Sequence, residues 1–453
     1  MKNNIIFKDY FNKGQTLESF ENEVEKIVSH TTYVKTYPAN IRLLSFRKKI
    51  DVLLENGKDV KRSYLFRLLD KESLEAQAAL NISFPEVPIT TTLIEGQPND
   101  NSRFLDQVSE DTGLMIELLN KDGNSYYYGL SEYALPMLAT KAGLKGDRVR
   151  ENSFFRDVYL ANGIINPTTT NLKTDAEKAR VDKILSEGFS LALRKNKPQK
   201  DEEKNTPIGT GIVLSAFSAN FDERDASAFL EIIDALSVNK SFGESSVEEW
   251  VSKQDRLSIR LTFDNLTTML KKKYGVKKDI KAQIQIQDSD CGLSSLTVQG
   301  LVKFGDSSSL VIGAGIVQER NGFKFDIDRV MKKIEKEILV EIQNVFKNIA
   351  KLESQEIPLK YKSSCIKNIT QTAIKNLPSA SKTLGKKRIA IIKEIVSHSE
   401  VSNIGTVYDV IDKVLSLPNY VEEFEEFEPL GETAYNEWIK ENRSLVTCNY
   451  NNL

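Results

Sequence analysis

The clearest pattern in the chain runs from residue 283 to 317, QIQIQDSDCGLSSLTVQGLVKFGDSSSLVIGAGIV. Ile284 and Ile286 alternate with glutamines, which predicts a strand with one buried face. DSDCG reads as a turn, and Leu296, Val298 and Val302 set one register of a second strand. GDSSS is another turn, and LVIGAGIV is a third strand whose unbroken apolar run suits burial on both faces. Asn321-Gly322 then signals a hairpin into FKFDI. From 327 to 352 the period changes: Ile327, Met331, Ile334, Ile338, Ile342, Val345, Ile349 and Leu352 recur every three or four residues, about seven turns of amphipathic helix. The order strand, strand, strand, helix predicts an α+β fold: an antiparallel β-meander covered by a long amphipathic helix, with flanking helices.

Elsewhere the pattern is less regular. Leu17, Phe20, Val24, Ile27 and Val28 share one helical face within 17–29. Residues 41–56 read as strands broken at ENGKD, and 61–80 read as helix from their Leu, Lys, Glu and Ala content. The prolines of SFPEVPITTTLIEGQP suit an extended connection or edge strand. LMIELLN, KDGN and SYYYGL predict a hairpin that leads into a helix capped by Ser131 and stopped at Gly143. Ile212 to Phe217 reads as a strand, followed by a turn at Asp222 and a helix through Phe229, Leu230, Ile233 and Leu236. DRLSIRLTF is a further strand. The charged, proline-bearing stretch 195–207 reads as a linker or mobile loop between an N-terminal region, 1–200, and a C-terminal one, 208–453.

Composition narrows the chemistry. The 453 residues carry a net charge of −2, so any electrostatic argument is local. No apolar run is long enough to span a membrane, and MKNNIIFKDYFNKG lacks the pattern of a signal peptide. Cys291, Cys365 and Cys448 are few and far apart, which fits a cytoplasmic protein and gives no paired zinc ligands. With only His30 and His398, a metal site built on several histidines is excluded.

Four features invite a chemical reading. Gly-Thr-Gly (209–211) and Gly-Ala-Gly (313–315) complete no phosphate-loop motif and read as close backbone approaches. Asp288, Asp290, Asp326 and Asp328 form two Asp-x-Asp pairs of the kind that hold Mg²⁺ in nucleases, but turns and helix caps favour aspartate for their own reasons. Tyr126, Tyr127 and Tyr128 suit base stacking or, more simply, a strand. The fourth feature is charge segregation. From Lys253 to Lys281 nine basic residues face three acidic ones, and from Lys360 to Lys393 nine basic residues face none. Such tracts serve phosphate recognition, or equally a solvated helix face.

Four stretches, in order, resemble the phage/plasmid-like protein family: GLSEYALPMLATKAGL (129–144), GIVLSAFSANFDERDASAFLEII (211–233), the DSDCG turn with its strands (288–317) and IGTVYDVIDKVLSLPNY (404–420). The resemblance spans about 125–420 and implies a phage or plasmid setting. It brings no catalytic residues. The strand–strand–strand–helix order is also similar to that of phage single-strand annealing proteins. The expected function is therefore non-catalytic binding of nucleic acid, single-stranded DNA first, in replication or recombination, with no cofactor, metal or membrane. Lys271, Lys272, Lys273, Lys277, Lys278, Lys386, Lys387 and Arg388 are the expected phosphate ligands, with Tyr274 as a stacking ring. The alternative is a protein-interaction factor, either a homo-oligomer or an inhibitor of a host defence protein, with VEEFEEFE (421–428) as a contact. A metal-dependent nuclease is third.

Overall fold

A computed structural model describes residues 5, 10–37, 40–53, 60–67, 92–94, 114–119, 124–131, 133–141, 175, 179, 183, 187–195, 197–200, 202, 211–218, 224–289, 295–305, 310–319, 325–358, 362–376, 404–414 and 430–440. The chain opens with β1 (Phe11–Gly14), α1 (Leu17–His30) and β2 (Thr31–Thr36). There follow β3 (Ile41–Leu53), β4 (Val60–Arg67), β5 (Thr92–Ile94), β6 (Leu114–Leu119), β7 (Ser125–Leu130), α2 (Ala134–Lys141), β8 (Phe189–Lys195), β9 (Gly211–Ser218) and α3 (Ala228–Val238). The second half holds β10 (Ser246–Lys253), β11 (Leu257–Thr262), α4 (Asp264–Tyr274), β12 (Ile280–Asp288), β13 (Leu296–Phe304) and β14 (Val311–Glu319). A helical run then comprises α5 (Ile327–Lys333), a π-helical turn (Ile334–Leu339) and α6 (Val340–Glu353). It is followed by α7 (Lys362–Asn376), the short α8 (Val407–Asp409) running into a second π turn (Val410–Val414), and α9 (Leu430–Lys440).

The fold is α+β. Six strands form an antiparallel sheet in the order β1-β10-β11-β12-β13-β14, so the predicted three-strand meander makes up half of it, with β14 at the edge. Eight strands form the other sheet, β2-β8-β9-β7-β6-β3-β4-β5, antiparallel except where β7 meets β9. The segment 195–207, expected to join two regions of the chain, connects neighbouring strands of this sheet, with Lys195 opposite Gly211. One apolar cluster gathers residues from Ile5 to Trp438, and a second gathers Val34, Ile116, Tyr128, Leu191 and Val213 of the eight-stranded sheet with Ala134 and Leu138 of α2. α1 and α3 lie in it through Phe20, whose ring is 5.8 Å from Phe229 and 6.0 Å from Trp250 of β10.

Two expectations change. Residues 60–67 are strand, because VKRSYLFR pairs with β3 across the Asn56-Gly57 turn signal; the remainder of 61–80 lies outside the described residues. β14 is half-buried: Ile312, Ala314 and Val317 face the core, while Ile316 is 49% exposed. The Asn321-Gly322 hairpin and the Gly143 stop fall outside the described residues.

The π turn has a readable cause. Val330, Ile334, Ile338 and Ile342 are all fully buried, and each step between them is four residues. In an α-helix those three steps carry the stripe about 120° off its face, at 100° per residue. One extra residue, taken up in a π turn, removes most of that drift. The stripe then resumes through Val345, Ile349 and Leu352. The π turn also sits directly on the sheet. A Cβ on Gly300 would lie 2.6 Å from Ile338 Cγ2, and one on Gly315, whose φ is +84°, would lie 3.0 Å from the Glu337 carbonyl oxygen. Gly315 of Gly-Ala-Gly is thus a close approach between sheet and helix, and Gly211 is one between strands, where a Cβ would meet the Arg194 carbonyl oxygen of β8 at 2.1 Å. No helix among the described residues is long and apolar enough to cross a membrane.

Candidate nucleic-acid interface

The first basic tract divides in space. Lys253 and Arg256 close the β10–β11 turn, at the Asp288 end of the sheet. The lysines around Tyr274 precede the Ile280 end, about 25 Å away along a nine-residue strand. Arg260, between them, pairs with Glu249 at 3.1 Å.

The lysines at the Ile280 end are gathered by α4. Leu266, Thr267 and Leu270 bury one face of this helix, and Asp264 opens it. Lys271, Lys272 and Lys273 fill its last turn, where cations complement the helix dipole. Gly275, in the left-handed region at φ 76°, ends the helix, and Gly275 and Val276 both donate N–H bonds to the Lys271 carbonyl. The chain then turns through Lys277 and Lys278 into β12.

The expected ligands differ in what they have free. Lys272, Lys273 and Lys277 are exposed; Lys271 is half-buried. Lys273 Nζ lies 3.4 Å from Gln343 Oε1 and 5.1 Å above the Tyr274 ring. Tyr274 is partly buried against the core, so part of its ring is already used. Lys278 is committed within the fold: Nζ is 2.6 Å from Asp409 Oδ1 and 5.5 Å from the Tyr408 ring centroid. Lys386, Lys387 and Arg388 lie outside the described residues. Within that second tract Lys362 is buried and Lys367 is exposed.

The fold adds a residue that sequence reasoning missed. Lys347 is exposed on α6, one turn beyond Gln343, the residue that Lys273 contacts. Lys272, Lys273, Lys277 and Lys347 are thus the exposed cations of α4, the loop after it and the part of α6 that Lys273 meets, a lysine ridge on the two packed helices. Only tertiary packing brings α6 to Lys273, so no local signal pointed to Lys347.

The acidic pairs do not converge. Asp288 accepts two bonds from Arg224, from Nε at 3.0 Å and from Nη2 at 2.9 Å, with both side chains more than nine-tenths buried. Asp326 caps α5 by accepting from the Arg329 N–H at 3.1 Å. Asp328 is exposed in the first turn, and Asp290 lies outside the described residues. No group of three or more His, Cys, Asp or Glu side chains suited to a metal occurs among the described residues. The tyrosine run lies in β7, with the Tyr128 ring fully buried and its phenol pushed up by that burial.

Asp409 anchors the far side of the 275–279 loop. Burial alone raises its pKa, but the Lys278 ammonium and the N–H groups of Gly405 and Thr406 outweigh burial and hold it below the usual carboxylate range. A depressed folded-state pKa gives stability that is present above the unfolded value of about 3.9 and is lost as pH falls through the folded value. Asp409→Asn is therefore expected to flatten the acid limb of the stability–pH curve below about pH 4, measured by urea melts at a series of pH values. An unchanged acid limb contradicts this assignment.

The chain matches no family model, no curated protein and no solved structure.

Proposed function

We propose that this protein binds the phosphate backbone of nucleic acid, single-stranded DNA first, along the lysine ridge, and does so without cleaving it. The observation that carries this reading is the set of four exposed ammonium groups, Lys272, Lys273, Lys277 and Lys347, with no carboxylate partner among the described residues, in a chain of net charge −2. Each phosphate neutralised there releases condensed counterions, a gain that needs no base contact. The unburied part of Tyr274 offers a stacking surface at the foot of the ridge. A role in replication or recombination of phage or plasmid genomes, in the cytoplasm of the host, accords with the phage/plasmid resemblance of the sequence.

Replacing Lys272, Lys273 and Lys277 together by alanine is expected to weaken binding to a labelled oligothymidylate on the order of 30-fold near 0.1 M salt. Fluorescence anisotropy measures this, and an unchanged affinity refutes the ridge as the site.

A second reading has one observation in its favour. Met269 and Val340 are 50% and 47% exposed, each one turn before the residues that join α4 to α6. Apolar positions beside a cationic ridge suit a protein partner, either a second copy or a host protein. This reading predicts no salt-dependent DNA binding.

A further inference from the structure

The loop that follows the lysine helix already holds anions, and they belong to the protein itself. Glu353, the last residue of α6, places Oε2 3.0 Å from the Lys277 N–H and Oε1 3.0 Å from the Lys278 N–H. Two successive backbone donors converging on one carboxylate make the type of concavity that binds phosphate oxygens in other folds. One residue's ammonium completes the set: Lys278 Nζ is 2.6 Å from Asp409 Oδ1. Asp409 Oδ2 is separately held by the Gly405 N–H at 2.9 Å, the Thr406 N–H at 3.0 Å and the Thr406 hydroxyl at 3.1 Å.

We propose that Glu353 and Asp409 stand in for DNA phosphates at the 276–278 loop, occupying it in the free protein and yielding it when a strand lies along the ridge. This rests on the ridge as the phosphate-binding surface. Three observations carry it. The donors are two amides on Glu353 and one ammonium on Asp409, all of a kind that the free oxygens of phosphates accept from. Their position continues the ridge, because the exposed Lys277 side chain stands on the same two-residue step as the amides that hold Glu353. The donors are also reachable: the Lys278 side chain is 36% exposed and Glu353 is half-buried, although Asp409 itself is only 4% exposed, so the exchange there opens from the Lys278 side.

The exchange has a structural consequence. Asp409 keeps its bonds to Gly405 and Thr406 when Lys278 leaves, so α8 retains its capping box. What it loses is the charged tie from the loop to the 404–414 segment. Tyr408, stacked on Phe304 at 5.0 Å with rings 3° apart, then holds that segment to the sheet by apolar contact. Strand binding is thereby linked to loss of that charged tie, while the 404–414 segment stays packed on the sheet.

The test uses Glu353→Gln and Asp409→Asn in the full chain, with a fluorescein-labelled oligothymidylate as probe. Glutamine keeps one acceptor for the loop amides and removes the charge. Each variant is expected to bind about fivefold tighter than wild type near 0.1 M salt, with a salt slope steeper by about 0.7, as one further phosphate contact becomes available. A purely structural role for these carboxylates lowers affinity or leaves it unchanged. If wild type binds and neither variant binds tighter, the inference falls and the ridge stands. If no form binds at low salt, both fall. Circular dichroism melts establish that each variant folds, and if Asp409→Asn does not, Glu353→Gln alone decides.

Discussion

Gly300→Ala is expected to destabilise the protein by about 3 kcal/mol, the upper range for overpacking a core. Gly300 lies in the middle of β13, opposite Ile284 of β12. A Cβ there would stand 2.2 Å from the Ala314 carbonyl oxygen and 2.6 Å from Ile338 Cγ2. The first obstacle is backbone and has no rotamer to yield. Relief requires β14 to move away from β13 at the point where their register already shifts, between Gln299 and Leu301. It also requires the π turn to lift, which opens space beneath Ile334, Ile338 and Ile342, all fully buried. Urea unfolding reads the effect as a lower midpoint at unchanged slope. A midpoint equal to wild type would mean that helix and sheet are not in the contact described.

Arg224→Met is expected to cost about 3–5 kcal/mol, because it leaves the Asp288 carboxylate buried without its partner. The guanidinium meets the carboxylate with two bonds, and the Ser289 N–H donates a third to Asp288 Oδ1 at 2.9 Å. The Tyr33 hydroxyl donates to the Arg224 carbonyl at 3.2 Å, so the pair also ties the eight-stranded sheet to the end of β12. The double variant Arg224→Met/Asp288→Leu is expected to recover most of the loss, since no buried charge remains. A double-mutant cycle measures the coupling. Strictly additive single losses would contradict the pairing and return Asp288 to the list of residues available for metal chemistry.

How much of this was legible in the chain can be argued residue by residue. The alternation of Ile284 and Ile286 with glutamines gave β12 and its buried face, and turn chemistry separated β12, β13 and β14. Ser131 was readable as a cap: its hydroxyl accepts the Ala134 N–H at 3.0 Å. Asp326 was readable in the same way. Such signals are local, and local signals survive tertiary packing. β10 has no clear signal in the sequence, because a register shift between Val247 and Glu249 breaks the alternation of SVEEWVSK. The Leu and Lys content of β4 carries helix propensity, and pairing with β3 overrides it. The four-residue steps through Val330, Ile334, Ile338 and Ile342 were visible, and read closely they call for a π turn.

At the interface the limit is distance along the chain. The sequence pointed to α4 and its lysines. It gave no sign that Lys278 belongs to Asp409, 131 residues on, that Glu353 closes the loop from 76 residues on, or that Lys347 joins the ridge. The three acidic partners of the first tract, Asp255, Asp264 and Asp279, also said little about local charge. The carboxylates that matter come from α6 and α8.

A salt titration of the wild-type protein against a labelled oligothymidylate tests the central claim most directly. Four phosphate contacts, from Lys272, Lys273, Lys277 and Lys347, predict that log affinity falls with log salt at a slope of about −3, at about 0.7 per contact on a single strand. Absence of binding at low salt, or binding indifferent to salt, would contradict a phosphate-binding ridge and leave the α4–α6 seam as a surface for a protein partner.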